Sequence, residues 1–260
     1  MWNEKQVSVV LMTYAERESI REVIERFYAT GVVDEVLVVD NNAEPGTREE
    51  VQRTAARLVE EPRQGYGHAT RRGLLEARGD LIVLAEPDGT FRPEDITKLL
   101  VYSDECDVVF GTRTTRELIW AEANMASFLR WGNWAVAKLI EVLFNTSHLS
   151  DVGCTYRLLR KETARRIASS MKVGGNHAGV EVMLLTIVGG ARFVEVPVNY
   201  LPRVGTSSVT GRRLLALQVG LRMILLVLRF RRATPRRLTR APALAVSRAS
   251  ADEAHEQLPL

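Results

Sequence analysis

The chain has 260 residues, 46% apolar and 26% charged, with a net charge of +3. This balance excludes a disordered or low-complexity chain and fits one large domain, or one domain with an appendage, around a sizeable core. Two cysteines, Cys106 and Cys154, exclude a disulfide framework and a cysteine-based metal site.

The apolar run Val7 to Met12 reads as a buried strand and Arg17 to Thr30 as a helix. Glu35 to Val39 is a second strand, ending at Asp40-Asn41-Asn42. Thr47 to Leu58 reads as helical, as does Gly67 to Arg78 after the turn Gly65-Tyr66-Gly67. Leu81 to Ala85 is a strand that ends on the acidic turn Glu86-Pro87-Asp88. Pro93 to Tyr102 is a helix with proline in its first turn, and Asp107 to Gly111 a further strand. Such alternation predicts an α/β fold, a mostly parallel central sheet with helices on both faces.

The second half is less regular. Leu118 to Phe144 is a long apolar helical region, Asp151 to Arg157 a loop entering a short strand, and Gly179 to Val188 a helix. Ala191 to Val198 reads as an edge strand and Pro202 to Ser208 as a polar loop. The final helix, 214–230, is too short and too charged to cross a bilayer. Its polar residues Gln218, Arg222 and Arg229 fall within about 40° of one another at ~100° per residue. Either it packs on the domain or it lies in a membrane interface.

Charge is unevenly spread. Residues 1–202 carry 24 basic and 29 acidic side chains, whereas 203–240 carry ten arginines and no acid. A basic segment on an acidic body predicts an anionic partner, and a membrane surface suits it. Nucleic acid is not expected, because Phe230 is that segment's one aromatic. The N-terminus shows no signal peptide. The expected setting is cytoplasmic, peripheral on the inner face of the membrane.

Acids collect at strand ends: Glu16 after the first strand, Asp40 at the end of the second, and Glu86 and Asp88 after the strand 81–85. Carboxylates there can accept from a nucleoside's hydroxyl and N–H groups, and Tyr14 can stack on a base. Side chains at i and i+2 of an extended segment point the same way. Glu86 and Asp88 can thus converge on one hard cation, Mg²⁺ or Mn²⁺. Asp88 is the stronger ligand of the two.

In order and context these motifs resemble the inverting family 2 glycosyltransferases of GT-A fold, closest to their polyprenyl- or dolichyl-phosphate mannosyl- and glucosyltransferase branch. The resemblance runs from about Val7 to Arg231. It is carried by Thr13-Tyr14-Ala15-Glu16, Val38-Val39-Asp40-Asn41-Asn42, Arg63 to Ala69 with Ala77-Arg78-Gly79-Asp80, and Glu86-Pro87-Asp88. Gly111-Thr112-Arg113, Asp151 to Arg157, and Glu195 to Val198 with Arg203 and Ser207-Ser208 follow. Three departures stand out: Asn41-Asn42-Ala43 for Asp-Gly-Ser, Glu86 for the first Asp of the metal motif, and Thr155 for a Gly.

The resemblance implies a GT-A-like catalytic domain over 1–210, an amphipathic Arg-rich helix and basic segment over 211–240, and a disordered tail over 241–260. Tyr14, Glu16 and Asp40 would hold the nucleoside, with Asp80 near the nucleotide. Thr13, Asn42, Gly67, Arg203 and Ser208 complete the nucleotide-sugar set. Glu86 and Asp88 would hold the divalent cation, Mg²⁺ or Mn²⁺. Arg113 and Arg130 would meet an acceptor phosphate on a polyprenyl lipid. A hydroxyl acceptor would instead need a base, for which Asp151 and Glu181 are the candidates. The expected donor is a UDP- or GDP-hexose. A same-fold enzyme acting on a hydroxyl and a sugar-nucleotide nucleotidyltransferase are the alternatives; the latter lacks its glycine-rich basic loop after the first strand.

Overall fold

The computed structural model describes residues 1–120, 123, 127–205 and 213–234. Ser207, Ser208, the segment 235–240 and the tail 241–260 lie outside the described residues. The strands are β1 (Val7–Thr13), β2 (Glu35–Asp40), β3 (Arg57–Glu60), β4 (Leu81–Ala85), β5 (Val108–Thr112), β6 (Arg157–Arg160) and β7 (Phe193–Pro197). They form one sheet of order β3-β2-β1-β4-β6-β5-β7. Only β6 runs antiparallel, pairing with β4 and β5. The expected mostly parallel sheet is present, with the expected edge strand β7 at one end.

Alternate residues of each central strand enter opposite cores, as the pleat requires. Val10, Met12, Leu37, Val39, Ile82 and Leu84 face one side. There they meet helices α3 (Tyr66–Glu76), α5 (Ser127–Phe144), α6 (Lys161–Ser170), α7 (Ala178–Val188) and α8 (Arg213–Ala233). Val9, Leu11, Val36, Val38, Val83 and Ala85 face the other, under α1 (Ile20–Ala29), α2 (Thr47–Gln52) and α4 (Ile96–Leu100). Burial on both sides explains why the central strands read as unbroken apolar runs.

Three elements differ from expectation. The helix expected over Thr47–Leu58 stops at Gln52, and Arg57–Glu60 pairs with β2 as an edge strand. Two apolar residues, Leu58 and Val59, are too weak a periodic signal; pairing with Val38 and Val39 decides the matter. The helix α6, expected from no motif, packs Ala164, Ile167 and Ala168 against the core. Leu118 to Phe144 is not one helix: Arg116–Leu118 is a single tight turn, Ile119 bridges Tyr200, and α5 begins at Ser127.

The chain runs β1 to β2 to β3 outward, then returns to β4 on the other side of β1. The carboxyl ends of β1 and β4 therefore flank a topological switch point, the crevice where open α/β sheets bind ligands. Helix α3 lies close on β1, because a Cβ on Gly73 would stand 2.3 Å from Val10 Cγ1. Gly73→Ala is expected to lower stability by about 1–3 kcal/mol through overpacking, read by denaturant unfolding.

Candidate active site

A cavity of about 780 Å³ opens at that switch point. The β1 turn, Met12 to Glu16, and the β4 turn, Glu86 to Asp88, form one wall. The far wall is α5 from Gly132 to Val136 and α8 from Leu217 to Ile224.

Asp88 is buried. Its Oδ1 accepts from Thr90 N at 2.9 Å and Thr90 Oγ1 at 2.6 Å, which leaves Oδ2 to take Arg203 Nη2 at 2.7 Å. Glu86 Oε2 and Glu16 Oε1 each stand 3.8 Å from the same Arg203 nitrogen. Glu16 turns its other oxygen back on its own loop, accepting from Tyr14 N at 2.8 Å and Ala15 N at 2.9 Å. Three carboxylates thus converge on one guanidinium. Loss of solvent and the neighbouring Asp88 charge push the Glu86 carboxyl above the usual carboxylate range, against the pull of Arg203.

Arg203 is fixed there by its main chain. Val204 N donates to Asp88 O at 2.9 Å and Leu201 N to Thr90 O at 2.8 Å, while Tyr200 bridges Phe91.

Among the described residues no three His, Cys, Asp or Glu side chains form a closed metal cage. The donor set suits a hard cation all the same. Mg²⁺-like ions use one or two carboxylates and complete their shell with water and phosphate oxygens. Asp88 Oδ2 and Glu86 supply two such oxygens at the place where a positive charge already sits.

At the other end of the floor, Arg113 is nearly buried and bound twice by Asp151. Its Nε reaches Oδ2 at 2.8 Å and its Nη2 reaches Oδ1 at 3.1 Å. Asp151 also accepts from Arg113 N and Gly153 N. Burial opposes both charges; their mutual attraction raises the Arg113 pKa and lowers that of Asp151. Glu195 on β7 holds the loop beneath, accepting from Ser150 N at 3.0 Å and Asp151 N at 3.1 Å.

Thr13, Tyr14, Glu16, Glu86, Asp88, Arg113 and Arg203 all line the cavity. Others of the expected set do not. Asp40 is buried behind the β1 turn, accepting from Ala43 N at 2.8 Å and pairing with Arg48. Asn42 bonds Pro62 O and Gln64 Oε1, and Gly67 N bonds Gly174 O; both brace the rim. Asp80 is at the wrong end of the sheet. It precedes β4 and accepts from Gln6 N, roughly 20 Å from Glu86 at ~3.3 Å per strand residue.

Neither expected base is free. Both Asp151 oxygens are engaged as above. Glu181 spends its two oxygens on Lys172 N and Val173 N, each at 2.9 Å, tying the loop before α7. Arg130 is half-buried on α5, two residues before Gly132, the first of the described α5 residues to line the cavity. Trp131 and Trp134 are exposed at 62% and 41% and stack edge to face at 5.6 Å.

The motifs left Tyr66, Tyr200 and Asn176, which also line the cavity, without a role. Arg157, quoted within Asp151–Arg157, likewise received none.

Residues 8–168 match the model described as Glycosyl transferase family 2. The chain belongs to glycosyltransferase family 2. A dolichyl-phosphate hexose transferase of Haloferax volcanii is 29% identical over 207 residues, covering 78% of this chain and 86% of that one. An undecaprenyl-phosphate mannosyltransferase of Micrococcus luteus is 28% identical over 217 residues, covering 79% and 88%. Glucosyl-3-phosphoglycerate synthase from Mycobacterium tuberculosis, solved with Mn²⁺, UDP and phosphoglyceric acid, superposes with a TM-score of 0.68 at 19% identity, over 89% of this chain and 80% of that one. The GT-A fold of this glycosyltransferase is thereby shown.

Removing one partner of a buried ion pair strands the other. Asp151→Ala is expected to cost about 3–5 kcal/mol in this transferase, and the double change Arg113→Met with Asp151→Leu to recover most of it. Thermal and denaturant unfolding of the single and double variants read this.

Proposed function

We propose that this family 2 glycosyltransferase moves a hexose from a UDP- or GDP-sugar to the phosphate of a polyprenyl lipid. One observation carries the reading. Among the described residues, the cavity's carboxylates, Glu16, Glu86 and Asp88, all gather round Arg203, and the acceptor end offers no free base. A sugar hydroxyl must lose a proton as it attacks and needs such a base. A phosphate oxygen is already anionic and needs none. The relatives named for dolichyl-phosphate hexose and undecaprenyl-phosphate mannose transfer support the same acceptor class.

Glu86 and Asp88 would hold a divalent cation, Mg²⁺ or Mn²⁺, which neutralises the leaving diphosphate as a Lewis acid. Tyr14, half-exposed on the rim, offers a face for the base, and the Glu16 turn holds it there. Aliphatic residues of α5 and α8 line the acceptor side.

Helix α8 packs Met223, Leu226, Val227 and Phe230 on the core. On its opposite side it exposes Leu217, Leu221, Leu225 and Leu228. No described helix is long and apolar enough to cross a membrane. The exposed stripe, Trp131, Trp134 and the flanking arginines instead favour seating on an anionic bilayer surface at its inner, cytoplasmic face. The lipid phosphate would then arrive beside the cavity mouth.

The expected outcome is transfer of label from UDP-glucose or GDP-mannose into the organic phase with polyprenyl phosphate and Mn²⁺. Label that appears only on water-soluble acceptors overturns the reading. Asp88→Asn should lower kcat at least ~100-fold, about 3 kcal/mol of lost charge stabilisation, with the unfolding midpoint little changed. Leu221→Glu combined with Trp131→Glu should weaken co-sedimentation with anionic liposomes about tenfold or more.

A further inference from the structure

A second, smaller cavity of about 250 Å³ lies behind the turn Gly65-Tyr66-Gly67. It shares no lining residue with the active-site cavity. Four of its seven lining residues are basic, Arg63, His68, Arg71 and Lys172, and none is acidic.

Two segments build it. His68 and Arg71 stand on α3, and Lys172 lies in the loop between α6 and α7. The loop packs on the turn with no space to spare. Gly67 N donates to Gly174 O at 2.9 Å. A Cβ on Gly67 would stand 2.0 Å from Val173 O, and one on Gly174 2.1 Å from His68 Nε2. Glu181 fixes the loop from behind, accepting from Lys172 N and Val173 N. The walls are therefore held by main-chain contacts, and the basic side chains are free of that duty.

Arg63 is answered at the cavity's edge, where Glu61 takes its Nε at 2.9 Å and its Nη2 at 3.2 Å. Arg72, the neighbour of Arg71 on α3, has Glu76 at 3.1 Å. Arg71 and Lys172 differ. Among the described residues no carboxylate lies within ion-pair distance of either. Arg71 spends Nε on Ala168 O at 2.9 Å, which anchors its guanidinium. The four N–H groups on its terminal nitrogens have no partner among the described residues, and Lys172 adds three more donors.

Like charges round one concavity repel, and the low-dielectric walls focus their field. An anion relieves the repulsion and takes the donors. The volume falls below the ~300–1,000 Å³ of sites for drug-sized ligands, so the ligand is small. Guanidinium and ammonium together suit phosphate oxygens. We propose that this cavity is a second anion site, binding a small phosphate anion through Arg71, Lys172 and His68. It is separate from the donor and acceptor cavity and does not depend on the transfer reaction proposed above.

The test titrates the full chain, without metal or donor, with inorganic phosphate and with pyrophosphate. Ionic strength is held at the physiological level with sodium chloride, so that screening stays constant. Calorimetry gives the affinity. The imidazole NMR signal of His68, identified by its loss in His68→Gln, gives the place. A saturable shift of that signal by either anion is expected. Tighter binding of pyrophosphate assigns a diphosphate occupant, and equal binding a single phosphate group. No saturable shift with either anion, or the same response to added chloride, overturns the proposal.

Lys172→Gln alters an exposed side chain and keeps the main-chain N–H that Glu181 holds, so it is expected to fold. It should weaken the binding read at His68 about tenfold, from loss of a charge-assisted hydrogen bond. Arg71→Gln should do the same, and Arg71→Lys should recover part of the loss. Unchanged affinity in folded Lys172→Gln overturns the assignment, whatever the fate of the Arg71 variants.

Discussion

Three carboxylates that converge at the ends of neighbouring strands repel one another, and the fold holds them together only because a cation stands between them. Arg203 is that cation here. The requirement reaches outward from there. Glu16 needs the β1 turn folded back on itself, Asp88 needs the Thr90 turn, and the segment 200–204 must lie against 88–91 to deliver the guanidinium. Like charges gathered at this density mark a candidate functional site.

The opposite end of the cavity follows the reverse rule. There, among the described residues, the protein spends an acid on an arginine and leaves a second arginine without one. Arg113 with Asp151 is neutral as a pair, and Glu195 anchors the loop that carries the acid. Arg157 keeps its charge in a setting of carbonyl dipoles and one aromatic face. One wall is therefore negative and the other positive, about a cavity that tyrosines and the aliphatic residues of α5 and α8 also line.

Much of this was legible in the sequence. Buried parallel strands announce themselves as apolar runs, so β1, β2, β4 and β5 were readable, and so were the acids at their ends. The edge strand β3 was not, because its two apolar residues acquire strand geometry only by pairing with β2. Asp80 was misplaced because a motif fixes neighbours in sequence, and a strand carries its two ends to opposite sides of the sheet. Asp151 and Glu181 stand in the sequence as candidate bases, for partners supplied by main-chain N–H groups leave no trace in residue types. The isolation of Arg157 is likewise a property of what folding fails to bring near it.

The hydrogen bonds from Leu201 and Val204 to the metal-motif turn set how the site can change its charge. They clamp the main chain on both sides of Arg203, so its guanidinium can leave the carboxylates only by turning about its own side-chain bonds. Such a turn is a side-chain rotation, and it vacates the space between Glu86 and Asp88 with the main chain left in place.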